Sequence, residues 1–159
     1  MPERRVLANE AWEALLSAHA AVTKQFAAED MWQQVSMREY DVLYTLARCP
    51  QPVRISELNR HVLLSQPALS RLVDRLAERG LLQRQPDSAD RRGVLLSLTA
   101  AGRALQRELG SQHARSVARV LTARLSRGDL RQLEALCHRL ACQPALPPMT
   151  TGDREDTLL

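Results

Sequence analysis

Residues 65–99 constrain the fold more than any other stretch; they read SQPALSRLVDRLAERGLLQRQPDSADRRGVLLSLT. Leu69, Leu72, Val73 and Leu76 recur at helical spacing and predict one apolar stripe. Ser65 stands where an N-cap hydroxyl can accept from first-turn amides. Pro67 falls in that turn, where a missing N–H costs nothing. Gly80 follows at the position that favours a left-handed helix end. Two apolar runs come next, Leu81-Leu82 and Val94 to Leu98, separated by a polar turn from Pro86 to Asp90. Helix, strand, charged turn and returning strand, in that order, predict a helix-turn-helix followed by a β-hairpin wing.

The outward side chains suggest what such a unit would touch. Gln66, Ser70, Arg71, Asp74 and Arg75 lie off the apolar stripe. Arg can pair with guanine, Gln with adenine, and Ser with a base edge or a phosphate. An ordinary solvated helix would show a similar polar face, so the hairpin tip decides between the readings. Arg91 and Arg92 follow Asp90 directly. A polar helix beside a guanidinium-bearing tip suits a major groove and the adjacent narrow minor groove.

With Asp90-Arg91-Arg92, then Leu98-Thr99 and Gly102, the chain resembles the multiple antibiotic resistance regulator (MarR) family of winged helix-turn-helix repressors. The resemblance implies a mainly α fold with a small β-hairpin wing and N- and C-terminal dimerisation helices. It implies that Arg92 enters the minor groove and that Asp90 orients it. It places Ser65, Gln66, Ser70 and Arg71 toward the major groove, with Arg75 and Arg84 near phosphates; Arg91, read from the hairpin tip, is a further expected wing contact. It also implies a homodimer on a pseudo-palindromic operator, and a small-molecule effector, which the sequence does not name. Trp12, His19 and Tyr40 are the candidates to line an effector site between the dimer helices and the winged region; plain core packing is the competing reading.

Composition fits this outline. At 159 residues the chain has the length of one domain, and 45% hydrophobic with 25% charged residues is an ordinary globular balance. Lys plus Arg number 22 against 18 acidic residues, a net charge of +4 that permits nucleic-acid binding without demanding it. Lys24 is the only lysine, and Arg suits bidentate and groove contacts better. An aromatic content of 3% argues against a base-stacking single-strand binder. No apolar run is long enough to span a bilayer and the N-terminus lacks a signal-peptide core, so a cytoplasmic protein is expected.

Read in order, Trp12, Leu15, Leu16, His19, Val22, Thr23 and Phe26 predict a helix from about Leu7. Ser36 and Glu39 predict a capping box for the next helix. Val53 to Ile55 is expected as a third strand, and Ser56 as the start of the first motif helix, ISELNRHV. Leu63 occupies a turn position often held by Gly, so a turn without positive φ is expected. Thr99 caps a long helix to about Leu125, with Leu105, Leu109, His113, Val117 and Leu121 at four-residue steps. Ser126 and Asp129 suggest a second capping box, before a last helix with Leu130, Leu133, Cys137 and Leu140 on one face. The expected organisation is one domain over 1–143, with dimerisation helices at 5–33 and 99–143, a DNA-binding region at 36–98, and a flexible tail at 144–159.

Other functional classes find little support. The four histidines are scattered, with no nucleophile, base and orienting carboxylate in a local motif, and no phosphate-cradling Gly loop occurs. No enzyme and no cofactor are expected. Cys137, His138 and Cys142 fall short of the four ligands of structural zinc, so no metal site is expected. Cys49 follows a helix C-terminus, the wrong end to stabilise a thiolate. The rival from another class is a winged-helix protein-interaction module without DNA binding.

Overall fold

The computed structural model describes residues 2–88, 90 and 93–141. Its elements are α1 (Pro2–Ala27), α2 (Met37–Arg48), β1 (Val53–Arg54), α3 (Ile55–Leu58), α4 (Gln66–Glu78), β2 (Leu82–Pro86), β3 (Val94–Leu98), α5 (Ala100–Thr122) and α6 (Arg127–Ala141). They form two compact units that divide between Val117 and Ala118, inside α5.

In the first unit, α2 begins at the expected capping box: Ser36 Oγ accepts from the Glu39 amide at 3.3 Å, and Glu39 Oε2 accepts from the Ser36 amide at 2.8 Å. Val42, Leu43, Leu69, Val73 and Leu76 are fully buried at 0% exposure, joined by Val35, Leu58, Leu82, Leu96 and Leu98. The stripe read from α4 is therefore its core face. Three antiparallel strands cover that core in the order β1-β3-β2, with Val53 opposite Leu96 and Leu82 opposite Leu98. This is the expected winged helix-turn-helix, third strand included.

Gly80 ends the turn after α4 at φ +68°, a conformation other residues rarely adopt. A second glycine is fixed by space. A Cβ at Gly102 would lie 1.8 Å from the Leu81 carbonyl oxygen, so the first turn of α5 can approach the wing's root only as glycine. Thr99 caps that turn: its Oγ1 accepts from the Gly102 amide at 3.0 Å, while its hydroxyl donates to the Gly80 carbonyl at 2.6 Å.

Four sequence expectations need correction. The first motif helix spans only Ile55–Leu58, with Arg54 rather than Ser56 at its N-cap. Beyond Leu58 the chain tightens, Arg60 and His61 donating to carbonyls three residues back. This lets Val62 and Leu64 pack on the core and leaves Leu63 exposed, with no positive φ in the turn. Ser65 is the N-cap of α4, but its side chain makes no capping bond. Pro67 at the second helical position has no amide to offer, and the hydroxyl makes no bond with the third either. The helix α1 starts at Pro2, and its apolar residues before Val22 are exposed rather than packed. Finally, α5 ends at Thr122, and Gly102, Leu105, Leu109 and Ser116 are its buried residues in this unit. Four-residue steps rotate about 40° each around a helix, so the expected line through His113 to Val117 drifts off the buried face.

In the second unit, Ser126 and Asp129 form the expected capping box. The Ser126 amide donates to Asp129 Oδ2 at 2.9 Å, and the Asp129 amide to Ser126 Oγ at 3.2 Å. Ser126 pulls the Asp129 carboxyl below the usual carboxylate range, through its hydroxyl first and its amide second. No residue of α6 is buried, and Leu133, Leu136 and Leu140 are exposed. The segment 142–159, which contains Cys142 and the tail expected at 144–159, lies outside the described residues.

Candidate nucleic-acid interface

Burial of Leu69, Leu72, Val73 and Leu76 decides which way α4 faces. Ser65, Gln66, Arg71 and Arg75 are exposed and Ser70 is half-buried, so the sequence-expected contact residues share the uncovered side. Because Ser65 does not cap, its hydroxyl is available outward.

Three ion pairs fix this face to its surroundings. Arg84, on β2, pairs with Asp74 of α4 and so ties the wing to the helix beside it. Its guanidinium is thus shared between that pair and any phosphate it meets. Arg75 Nε lies 3.7 Å and Arg79 Nη1 3.8 Å from Glu39 Oε1, the carboxylate that also closes the α2 capping box. Glu39 therefore joins the start of α2 to the far end of α4.

At the wing tip, the Asp87 amide donates to the Gly93 carbonyl at 3.0 Å and the Gly93 amide to the Asp90 carbonyl at 2.7 Å. Gly93 has no spare room, since a Cβ there would meet Asp87 Cβ at 3.0 Å. Asp90 Oδ2 lies 3.3 Å from Arg54 Nη1, so the residue expected to orient Arg92 is engaged with β1. Arg91 and Arg92, the expected groove contacts, lie outside the described residues. The pairings of Arg54 with Asp87, Arg84 with Asp74, and Arg75 and Arg79 with Glu39 were not read from the sequence. These partners lie 10 to 40 residues apart, beyond local periodicity, and acidic residues among basic ones give no signal of their own.

The three effector candidates do not converge. Trp12 is exposed at 59% on α1, and Tyr40 is buried. Its ring meets those of Trp32 at 5.3 Å and His113 at 5.7 Å. Burial raises the Tyr40 hydroxyl's pKa, against an opposing hydrogen bond from Gln106. His19 alone lines a cavity, of about 590 Å³, between α1, α2 and the α3–α4 connection. Lys24, Arg38 and Asp41 line it with apolar Met37, Val62 and Leu64. Desolvation raises the Asp41 carboxyl pKa, partly offset by His113. The cavity suits a small molecule with both apolar and charged parts.

The sequence model of the MarR family matches residues 33–93, which run from the α1–α2 connection through the wing tip. The HTH-type transcriptional regulator PecS of Dickeya dadantii is 31% identical over 109 residues, 67% of this chain and 65% of PecS, just under two thirds of that protein's length. A MarR variant from E. coli, solved in complex with operator DNA, superposes with a TM-score of 0.69 at 26% identity, covering 83% of this chain and 96% of that one. The PcaV transcriptional regulator from Streptomyces coelicolor, solved with its natural ligand, gives a TM-score of 0.63 at 29% identity, covering 78% and 90%.

Proposed function

The chain belongs to the MarR family, and from that premise we propose that it is a sequence-specific, double-stranded-DNA-binding transcriptional regulator, a ligand-responsive repressor acting as a homodimer on a pseudo-palindromic operator. One observation carries the reading. The uncovered face of α4 presents Ser65, Gln66, Ser70 and Arg71 beside a wing that Arg84 ties to the same helix. A helix and a wing held together can enter neighbouring grooves as one body, which MarR-type docking requires. Gln66 and Arg71 are the side chains with base-reading chemistry. Arg75 and Arg84, each shared with a carboxylate, suit phosphates.

The exposed apolar residues of α1 (Val6, Leu7, Trp12, Leu16) and of α6 (Leu133, Leu136, Leu140) favour pairing with a second copy. Two copies set two recognition helices one or more DNA turns apart, hence a two-fold operator. An effector in the α1–α2 cavity would release DNA if it favoured the non-binding conformation; PcaV, solved with its natural ligand, lends weight to this. The relatives are regulators, which favours a binding role over catalysis. No helix among the described residues is long and apolar enough to cross a membrane, and a cytoplasmic site of action accords with this role.

The test is selection of bound duplexes from random DNA, followed by binding of the selected duplex across salt concentrations. A pseudo-palindrome whose affinity falls steeply with salt is expected. Arg92→Ala should then weaken binding at least about tenfold through loss of a groove contact, with an unchanged melting temperature. Failure to enrich any sequence, with no salt-sensitive binding, would leave the protein-interaction module as the reading.

A further inference from the structure

The guanidinium of Arg54 is directed at the wing tip. Its Nε lies 2.9 Å from Asp87 Oδ2, its Nη2 reaches the same oxygen, and its Nη1 lies 3.3 Å from Asp90 Oδ2. The Asp87 side chain is only 10% exposed, so this pair is partly shielded from water. Both carboxylates sit on backbone that closes on itself through the Asp87, Asp90 and Gly93 hydrogen bonds. Arg54 also stands at the N-cap of α3, the first helix of the motif, and opposite Leu95 in the sheet. One side chain therefore links the start of the helix-turn-helix to the two carboxylates that precede Arg91 and Arg92 in the sequence.

We propose that Arg54 is a positioning residue for DNA binding, one that holds the wing tip at a fixed angle to the helix-turn-helix through Asp87 and Asp90 and makes no phosphate contact itself. The inference rests on the duplex-DNA reading above. Geometry favours positioning over contact: Nε and both Nη atoms of Arg54 are turned to Asp87 and Asp90, so its fork is engaged within the wing rather than offered to a phosphate. Arg suits the task because its planar fork fixes direction, which a lysine ammonium does not. The pair spans the sheet from the edge opposite Arg84, so the wing is held on both flanks.

The experiment compares Arg54→Gln, Arg54→Lys, Asp87→Asn and the Arg54→Gln/Asp87→Asn double variant on the selected duplex. Each single change is expected to weaken binding about tenfold, the scale of one charge-assisted hydrogen bond, and the double variant little further. The decisive sign belongs to Asp87→Asn. Removing an acidic residue near DNA should tighten binding if the pair has no positioning role, and loosen it if it does. For Arg54→Gln, the slope of log affinity against log salt should stay unchanged, whereas a lost phosphate contact would reduce it by about 0.9. In the DNA-free protein, faster hydrogen exchange at the Asp87 and Gly93 amides is expected in each single variant, with the melting temperature held. Equal or tighter binding by Asp87→Asn, a reduced slope, or unchanged exchange at those amides would each overturn the proposal. A wild-type chain that binds no duplex would instead sink the DNA reading, and the exchange measurement would still judge the clasp.

Discussion

The helices α4 and α6 are nearly the same length and are held in opposite ways. α4 has no side-chain bond at its N-cap, yet four of its residues are buried, three of them completely. α6 has a complete capping box and no buried residue. Local capping and tertiary burial are thus separable supports: α4 has the second, α6 the first, and α2 both. The helix proposed to meet DNA is anchored from behind by the core and makes no side-chain bond at its N-cap. The helix with no core behind it depends on its own end and on whatever covers Leu133, Leu136 and Leu140.

The sharpest test of this contrast pairs two truncations. Leu69→Ala should destabilise the fold by about 2–5 kcal/mol, since a closed core cannot refill the cavity. Leu133→Ala should be nearly silent in dilute protein and gain effect with concentration, as expected for a residue covered only on association. Chemical denaturation at several protein concentrations separates them, and a concentration-independent loss in Leu133→Ala would break the comparison. A smaller effect is expected for Asp129→Asn. The Asp129 carboxyl pKa is depressed in the fold, so its stabilisation is complete above the ordinary carboxylate pKa and is lost as pH falls through the folded value. The variant should therefore melt earlier than wild type at neutral pH and alike in strong acid, as followed by circular dichroism. Smallest of all is Ser65→Ala. A working cap would cost about 1 kcal/mol, whereas here the melting temperature should hold while affinity for the selected duplex drops.

Much of this was legible beforehand, for a physical reason. The α4 stripe, Gly80, the two capping boxes and the third strand follow from periodicity and end chemistry within a few residues of sequence. Gly102 was visible as a pattern but not as a cause, which is the Leu81 carbonyl against it. What stayed hidden is long-range or steric. The clasp from Arg54 to Asp87 joins residues 33 apart, and Ser65 stands at the N-cap without making a capping bond. Trp12, His19 and Tyr40 share a helical period or an aromatic ring, and neither property puts side chains into a common space. His19 alone borders the α1–α2 cavity, whose charged residues Lys24, Arg38 and Asp41 carried no motif.

The tight seam at position 102 also bears on how tolerance maps of this protein should be read. A library varied there will return glycine under any selection that demands a folded chain, even one indifferent to DNA. Intolerance beside the wing is therefore no sign of touching a groove. The informative positions are those, like 65 and 71, where substitution is silent for folding and audible only when a duplex is present.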